Sequence, residues 1–332
     1  MATLKNTIVD STGFLKYPVG TDAQRPASPT AGMTRFNTDR GCLETYNGSA
    51  WVSAIVLETA EPNIIAYTAG SHTFTVPQHV SELEVLVIGG GGAGGGRSGG
   101  GGGAGGLVYS YNYPVRPGDT IPLTIGTGGA ATSTIGDSGS NSTFGPITAY
   151  GGGRGGNDSP ATGDPGGSGG GTHYGVYGQS SATQTSFGPV NSAGYGNRGA
   201  VGYHAPQHNS GGGGGAGGVP PGGAGTSNAI PTTVSGGAGG SGRYYEGFRN
   251  FGRSGGWFAG GGAGGGHPDG PVNTSTGGRG GGGTTQSTPY ANQYMTFNGE
   301  NNTGGGGGGV QQEYAGAGGA GRGGPGVVLI RY

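Results

Sequence analysis

Few residues in this chain are spaced for bond-making chemistry. The stretch Leu83-Glu84-Val85-Leu86-Val87-Ile88, followed by Gly89, Gly91 and Gly94, matches the strand-then-GxGxxG pattern of dinucleotide sites. That pattern works by aiming a helix N-terminus at a pyrophosphate. Residues 89–106 contain 14 glycines, so no helix follows and the match carries no nucleotide site. The six histidines are His72, His79, His173, His204, His208 and His267. His204 and His208 are four apart, but Pro206 between them prevents a shared helical face, and no metal or other cofactor is expected. No pair of acids stands out for glycoside cleavage, and no enzymatic activity is expected.

The residues suited to recognition are aromatic. Tyr174, Tyr177, Tyr195, Tyr203, Tyr244, Tyr245, Phe248, Trp257, Tyr290 and Tyr294 lie between glycine runs, among Asn, Gln, Ser, Thr and Arg. Tyr with Ser, Gly and Asn is the composition of recognition loops, and Trp, Tyr and Arg dominate binding hot spots. Planar rings beside Asn and Gln also suit sugars. The bland alternative is that each ring covers the flank of a scaffold with little other apolar surface.

The scaffold must be unusual. Of 332 residues 91 are glycine and 20 proline, which excludes a large Leu/Ile/Val core and an α-helical fold. Collagen is excluded, since glycine does not recur strictly at every third position. The 15 basic and 16 acidic residues give a net charge of −1, which argues against sequence-independent nucleic-acid binding. The single cysteine, Cys42, allows no intrachain disulfide. The opening residues predict no secretory leader, and no apolar run is long enough to cross a membrane.

Glycine is unevenly spread, with six residues in 1–88 and 85 in 89–332. Residues 1–60 predict a small β module for attachment or oligomerisation, with strands at 33–37, 42–46 and 51–56 and a hairpin turn at Asn47-Gly48. Three strands are too few to bury a core, so this module is expected to pack on copies of itself or on a larger particle. Residues 61–150 predict a β-rich base completed by 326–332. The apolar runs Leu83–Ile88 and Val327–Ile330 are expected in one sheet.

Residues 151–325 alternate glycine runs of six to nine residues with loops, and earlier runs occupy 89–96 and 99–106. Interruptions such as Ala238 and Ser241, or Ala317 and Ala320, often fall three apart, the residue count per turn of polyproline II. We therefore expect a bundle of polyglycine II helices, hydrogen-bonded sideways through their main chains. Side chains are expected only where an edge faces solvent or a strand. The fold class expected is all-β plus polyglycine II, essentially without α-helix.

The body from about Phe74 to Tyr332 resembles the glycine-rich domains of bacteriophage tail-fibre and adhesin proteins. The matching pieces are Phe74-Thr75-Val76-Pro77, Leu86-Val87-Ile88 with Gly89 to Gly95, Gly103 to Val108, Leu123 to Gly126 and Gly323 to Tyr332. Residues 26–51, with Arg35-Phe36-Asn37-Thr38, Leu43 to Gly48 and Trp51, look like modules of tailed-phage structural proteins, including those of cyanophages. The resemblance implies a virion receptor-binding protein, a homotrimer attached through residues 1–60 to other virion proteins. Its loops at 172–210, 243–259 and 284–303 are expected to bind a host glycan or outer-membrane protein. The alternatives are a non-adhesive structural or decorating fibre, an ice-binding protein and a polysaccharide depolymerase.

Overall fold

The computed structural model describes residues 16–53, 62–132, 135–176, 178–184, 187–188, 191–203, 209–217, 236–253, 255–266, 274–286, 298–310 and 319–332. They fall into two compact units, Met1–Pro62 and Asn63–Tyr332. The fold is all-β, with no α-helix among the described residues.

The first unit is one sheet of β1 (Val19–Gly20), β2 (Thr34–Asn37), β3 (Cys42–Tyr46) and β4 (Trp51–Ser53), in that order. The three expected strands are present over their described residues; positions 54–56 lie outside them. The addition is β1, which pairs parallel to β2. Period-2 alternation sends Arg35, Asn37, Cys42 and Glu44 to the buried face, while Val19, Phe36 and Val52 stay exposed. This unit therefore closes around charge. Glu44 is fully buried and accepts hydrogen bonds from Arg25 Nε (3.0 Å) and Asn37 Nδ2 (2.9 Å). Arg35 Nε stands 3.7 Å from the same carboxylate.

The second unit begins with β5 (Ile64–Tyr67), β6 (Ser71–Thr75), β7 (Glu82–Ile88), β8 (Leu107–Pro114), β9 (Thr120–Thr124), β10 (Ser142–Phe144) and β11 (Ile147–Ala149). It continues with β12 (Phe187–Gly188), β13 (Ser192–Tyr195), β14 (Arg243–Tyr244), β15 (Trp257–Phe258), β16 (Thr274–Ser275), β17 (Thr285–Gln286) and β18 (Val327–Arg331). A six-stranded sheet has the order β12-β13-β8-β7-β18-β5, and a four-stranded sheet the order β11-β10-β9-β6. As expected, the two strongest apolar runs are neighbours: β18 pairs antiparallel with β7, from Val327 opposite Ile88 to Arg331 opposite Glu84.

Both runs are continuous because both faces of the sheet are covered. Val85, Val87, Val328 and Ile330 pack with Phe74, Ile121, Leu123, Phe144 and Ile147 of the four-stranded sheet. Leu86, Ile88, Val327 and Leu329 pack on the other face with Ala104, Ala216, Phe248, Phe258 and Ala259. The glycine-rich body is thus joined to the sheet through an apolar seam.

Above that seam the glycine runs form a hydrogen-bonded bundle centred on residues 99–106. The amides of Gly99, Gly102 and Gly105 donate to Val310, Gly307 and Gly304. Those of Gly100, Gly103 and Gly106 donate to Gly156, Gly153 and Tyr150, and those of Gly101 and Ala104 to Gly211 and Gly214. Carbonyls of the same rod accept from three further runs: Gly89, Gly92 and Gly95; Ser168 and Gly171; Gly262 and Gly265. The partner changes at each residue and returns every third, which is the threefold symmetry of polyglycine II. Six rods surround this one. Five run antiparallel to it and one, 211–214, runs parallel.

One expectation needs correction. Some interruptions within inner rods face neither solvent nor the sheet's apolar seam: Ala93, Ala263 and Ser168 are fully buried among the rods. Ala104 and Ala216 place their methyl groups in the apolar seam, where the sheet supplies side chains to receive them. Solvent-facing interruptions occur on outer rods, as at Arg279 and Arg322.

Candidate recognition surface

The bundle has two ends, and its hydrogen-bond register separates them. Gly89, Gly106, Tyr150 and Gly304 lie at the sheet; Gly95, Gly100, Gly156, Gly171 and Val310 lie at the distal end. Seven residues of rise between Gly99 and Gly106 place the ends about 22 Å apart. The candidate aromatics divide between them. Tyr174 and Tyr203 stand at the distal end; Tyr195, Tyr244, Tyr245, Phe248 and Trp257 stand at the sheet end. The loops at 172–210 and 243–259 therefore do not form one continuous tip. Tyr177, Tyr290 and Tyr294 lie outside the described residues.

At the distal end the turns are tied to one another. His173, nearly buried, has Nε2 2.9 Å from Asp158 Oδ1 and 3.1 Å from the Arg97 carbonyl, and Nδ1 2.9 Å from the Tyr174 carbonyl. Burial pushes the imidazole below the ordinary histidine value, against the pull of the Asp158 carboxylate and the two carbonyls. Arg97 also reaches Asp158, at 3.5 Å. Tyr174 packs on the His173 ring at 4.3 Å between centroids. The Tyr203 amide donates to the Asn209 carbonyl (2.8 Å), and the Tyr203 carbonyl accepts from the Asn209 amide (3.1 Å). Three chain reversals, at 96–98, 157–162 and 173–176, are thereby held in fixed relation.

At the sheet end β14 and β15 pair with Arg243 opposite Phe258 and Tyr244 opposite Trp257. Alternation drives Phe258 into the seam, where Phe248 joins it from the short turn Glu246–Phe248. Phe248 is fully buried, so it is a packing residue and not a surface contact. The run at 243–258 folds back onto the sheet, and an apolar face needs such a cover. Tyr245 is largely covered as well, with its ring 4.7 Å from that of Tyr109, and burial raises its hydroxyl pKa. Tyr109 in turn donates to Glu84 (2.9 Å), which also pairs with Arg331 (2.5 Å).

Tyr244 is 44% exposed, and its ring lies 5.7 Å from that of Trp257. The hydroxyl of Tyr244 donates to Glu246; this bond raises the tyrosine pKa and lowers that of the glutamate. The Arg279 guanidinium lies 4.2 Å from the Trp257 ring centre, and that of Arg243 lies 3.7 Å from the ring of Tyr195. Arg279 was not legible as a site residue, because it interrupts a glycine run and no neighbouring residue marks it. Among the described residues no group of three or more His, Cys, Asp or Glu is gathered to hold a metal. No helix among them is long and apolar enough to cross a membrane.

No curated protein sequence matches the chain. Residues 67–332, well over half of the chain, match a family described as glycine-rich domain. This span holds the four-stranded sheet, all of the six-stranded sheet but most of its edge strand β5, and the described rods of the bundle, and on this match the chain belongs to the glycine-rich domain family.

Proposed function

We propose that the protein is an adhesin of a bacteriophage particle, in which the glycine bundle is a stiff stand and the distal turns contact a host surface. The observation that supports this reading best is the rod 99–106 with hydrogen-bonded neighbours on six sides. Main-chain groups committed in every direction keep the turns at 96–98, 157–162 and 173–176 from shifting relative to one another. A surface ordered before contact loses little entropy on association. The ligand class is a host glycan or outer-membrane protein, and no bond is broken. Residues 1–60 attach the chain to other virion proteins as a homotrimer, in keeping with the phage-fibre resemblance of both parts.

The use of Phe248 and Tyr245 for packing favours a second reading, a non-adhesive fibre on capsid or tail. The two are separated by applying the full-length chain to a panel of bacterial envelopes. On the adhesin reading at least one envelope retains it, and Tyr174→Ala with Tyr203→Ala abolishes retention while the protein stays folded. Antibody labelling of a phage particle without retention by any envelope would leave only the structural fibre.

A further inference from the structure

The sheet-end hairpin carries an arrangement that the distal contact proposed above does not use. Arg243, Arg249 and Arg253 belong to the hairpin, and Arg279 lies on the neighbouring run. Among the described residues the carboxylates beside the hairpin are Glu84, Glu246 and Glu300, and each is already matched, Glu84 by Arg331. Arg249 pairs with Glu246 at 3.0 Å and Arg253 with Glu300 at 2.8 Å. Arg243 and Arg279 have no carboxylate partner among the described residues and lie on aromatic rings instead. Arg279 is exposed, and its contact with Trp257 holds the planar fork in one orientation. Beside it the Tyr244 ring is presented to solvent.

We propose that Tyr244, Trp257 and Arg279 form a binding site for an acidic saccharide, a pyranose bearing a carboxylate. The two rings, 5.7 Å apart and tilted by 42°, offer an angled apolar cradle for the C–H face of the sugar. The guanidinium offers paired N–H donors whose spacing fits a carboxylate. Glu246 does not oppose the anion, since Arg249 balances its charge and the Tyr244 hydroxyl occupies it. Among the described residues Arg243 and Arg279 keep positive charges with no carboxylate of their own, so charge as well as shape selects an acidic over a neutral sugar. The site stands independently of the distal turns and of any attachment to a particle.

The test uses the full-length chain carrying Trp51→Phe, which leaves Trp257 as the single tryptophan of the two in the sequence. Fluorescence of Trp257 is titrated with oligogalacturonate, with oligosialate, with their carboxyl-reduced forms and with a single-stranded DNA oligonucleotide. Saturable change is expected with at least one acidic sugar, the two arms telling uronate from sialate. The carboxyl-reduced form, or Arg279→Gln, should weaken binding about tenfold or more, as loss of a charge-assisted pair requires. Arg279→Lys should recover part of it. No response to either acidic sugar, equal response to the reduced forms, or tighter binding of the oligonucleotide would each overturn the proposal. Tyr174→Ala with Tyr203→Ala should leave this titration unchanged, so failure at the distal end and failure here are read separately.

Discussion

A methyl group added at Gly102 would lie 2.1 Å from the carbonyl oxygen of Gly92, a main-chain atom that cannot swing away. Gly102→Ala must therefore push two rods apart and break their bonds, at a cost of about 3 kcal/mol or more. Gly118 has φ +85° and nothing within 4 Å of the added carbon, so Gly118→Ala should cost only about 1–2 kcal/mol of backbone strain. Denaturant unfolding of the two variants checks this contrast; equal losses would mean that rod spacing is not what fixes glycine at Gly102. At Glu44 the argument is electrostatic. The hydrogen bond from Arg25, with help from Asn37, holds its carboxyl below the ordinary glutamate value of 4.5 despite burial. A depressed folded value means the contribution is complete above the unfolded value and lost as pH falls through the folded one. The first unit should thus loosen below about pH 4. Trp51 fluorescence would report it, and Glu44→Gln should weaken the unit near neutral pH and flatten the acid transition.

Among the elements, the hairpin β14–β15 shows how one loop divides its aromatics between structure and surface. Phe248→Ala should cost about 3–5 kcal/mol by emptying the seam beneath the sheet. Tyr244→Ala should change stability by no more than about 0.5 kcal/mol. Thermal unfolding of both variants is the measurement, and a large loss at Tyr244 would make that residue structural too. Composition alone could not make this distinction, because Tyr244, Tyr245 and Phe248 sit in one polar, glycine-flanked stretch. By contrast β7 and β18 were legible: four apolar residues in a row, Val85–Ile88 and Val327–Ile330, need cover on both faces, and each other's edge is where they pair. The first unit was legible as strands but not as a charged interior, since alternation gives the two faces without saying which is covered. Its two-residue strand β1 left no pattern to read. Which rod neighbours which was also hidden, because pairing between glycines leaves no side-chain signature.

For the body as a whole, the central rod draws its partners from positions between Gly89 and Val310, so the bundle forms only when distant segments meet. Such non-local pairing predicts slow, cooperative folding. It also predicts that the amides of 99–106 are among the last to exchange with solvent, while those of the distal turns exchange early. Hydrogen exchange followed by mass spectrometry on the full-length chain measures both. Exchange at 99–106 as fast as in an unstructured peptide would mean the bundle does not persist in solution.

The threefold rotation of partners along each rod also bears on how such a body can vary. Inserting one residue within a rod would rotate every later amide by a third of a turn and aim it at the wrong neighbour. Inserting three would restore the direction and shift the remainder by about 9 Å. Lengthening a turn between rods disturbs neither direction nor register. Natural variants of this body should therefore differ freely in the length of their turns, and change rod length, if at all, in steps of three.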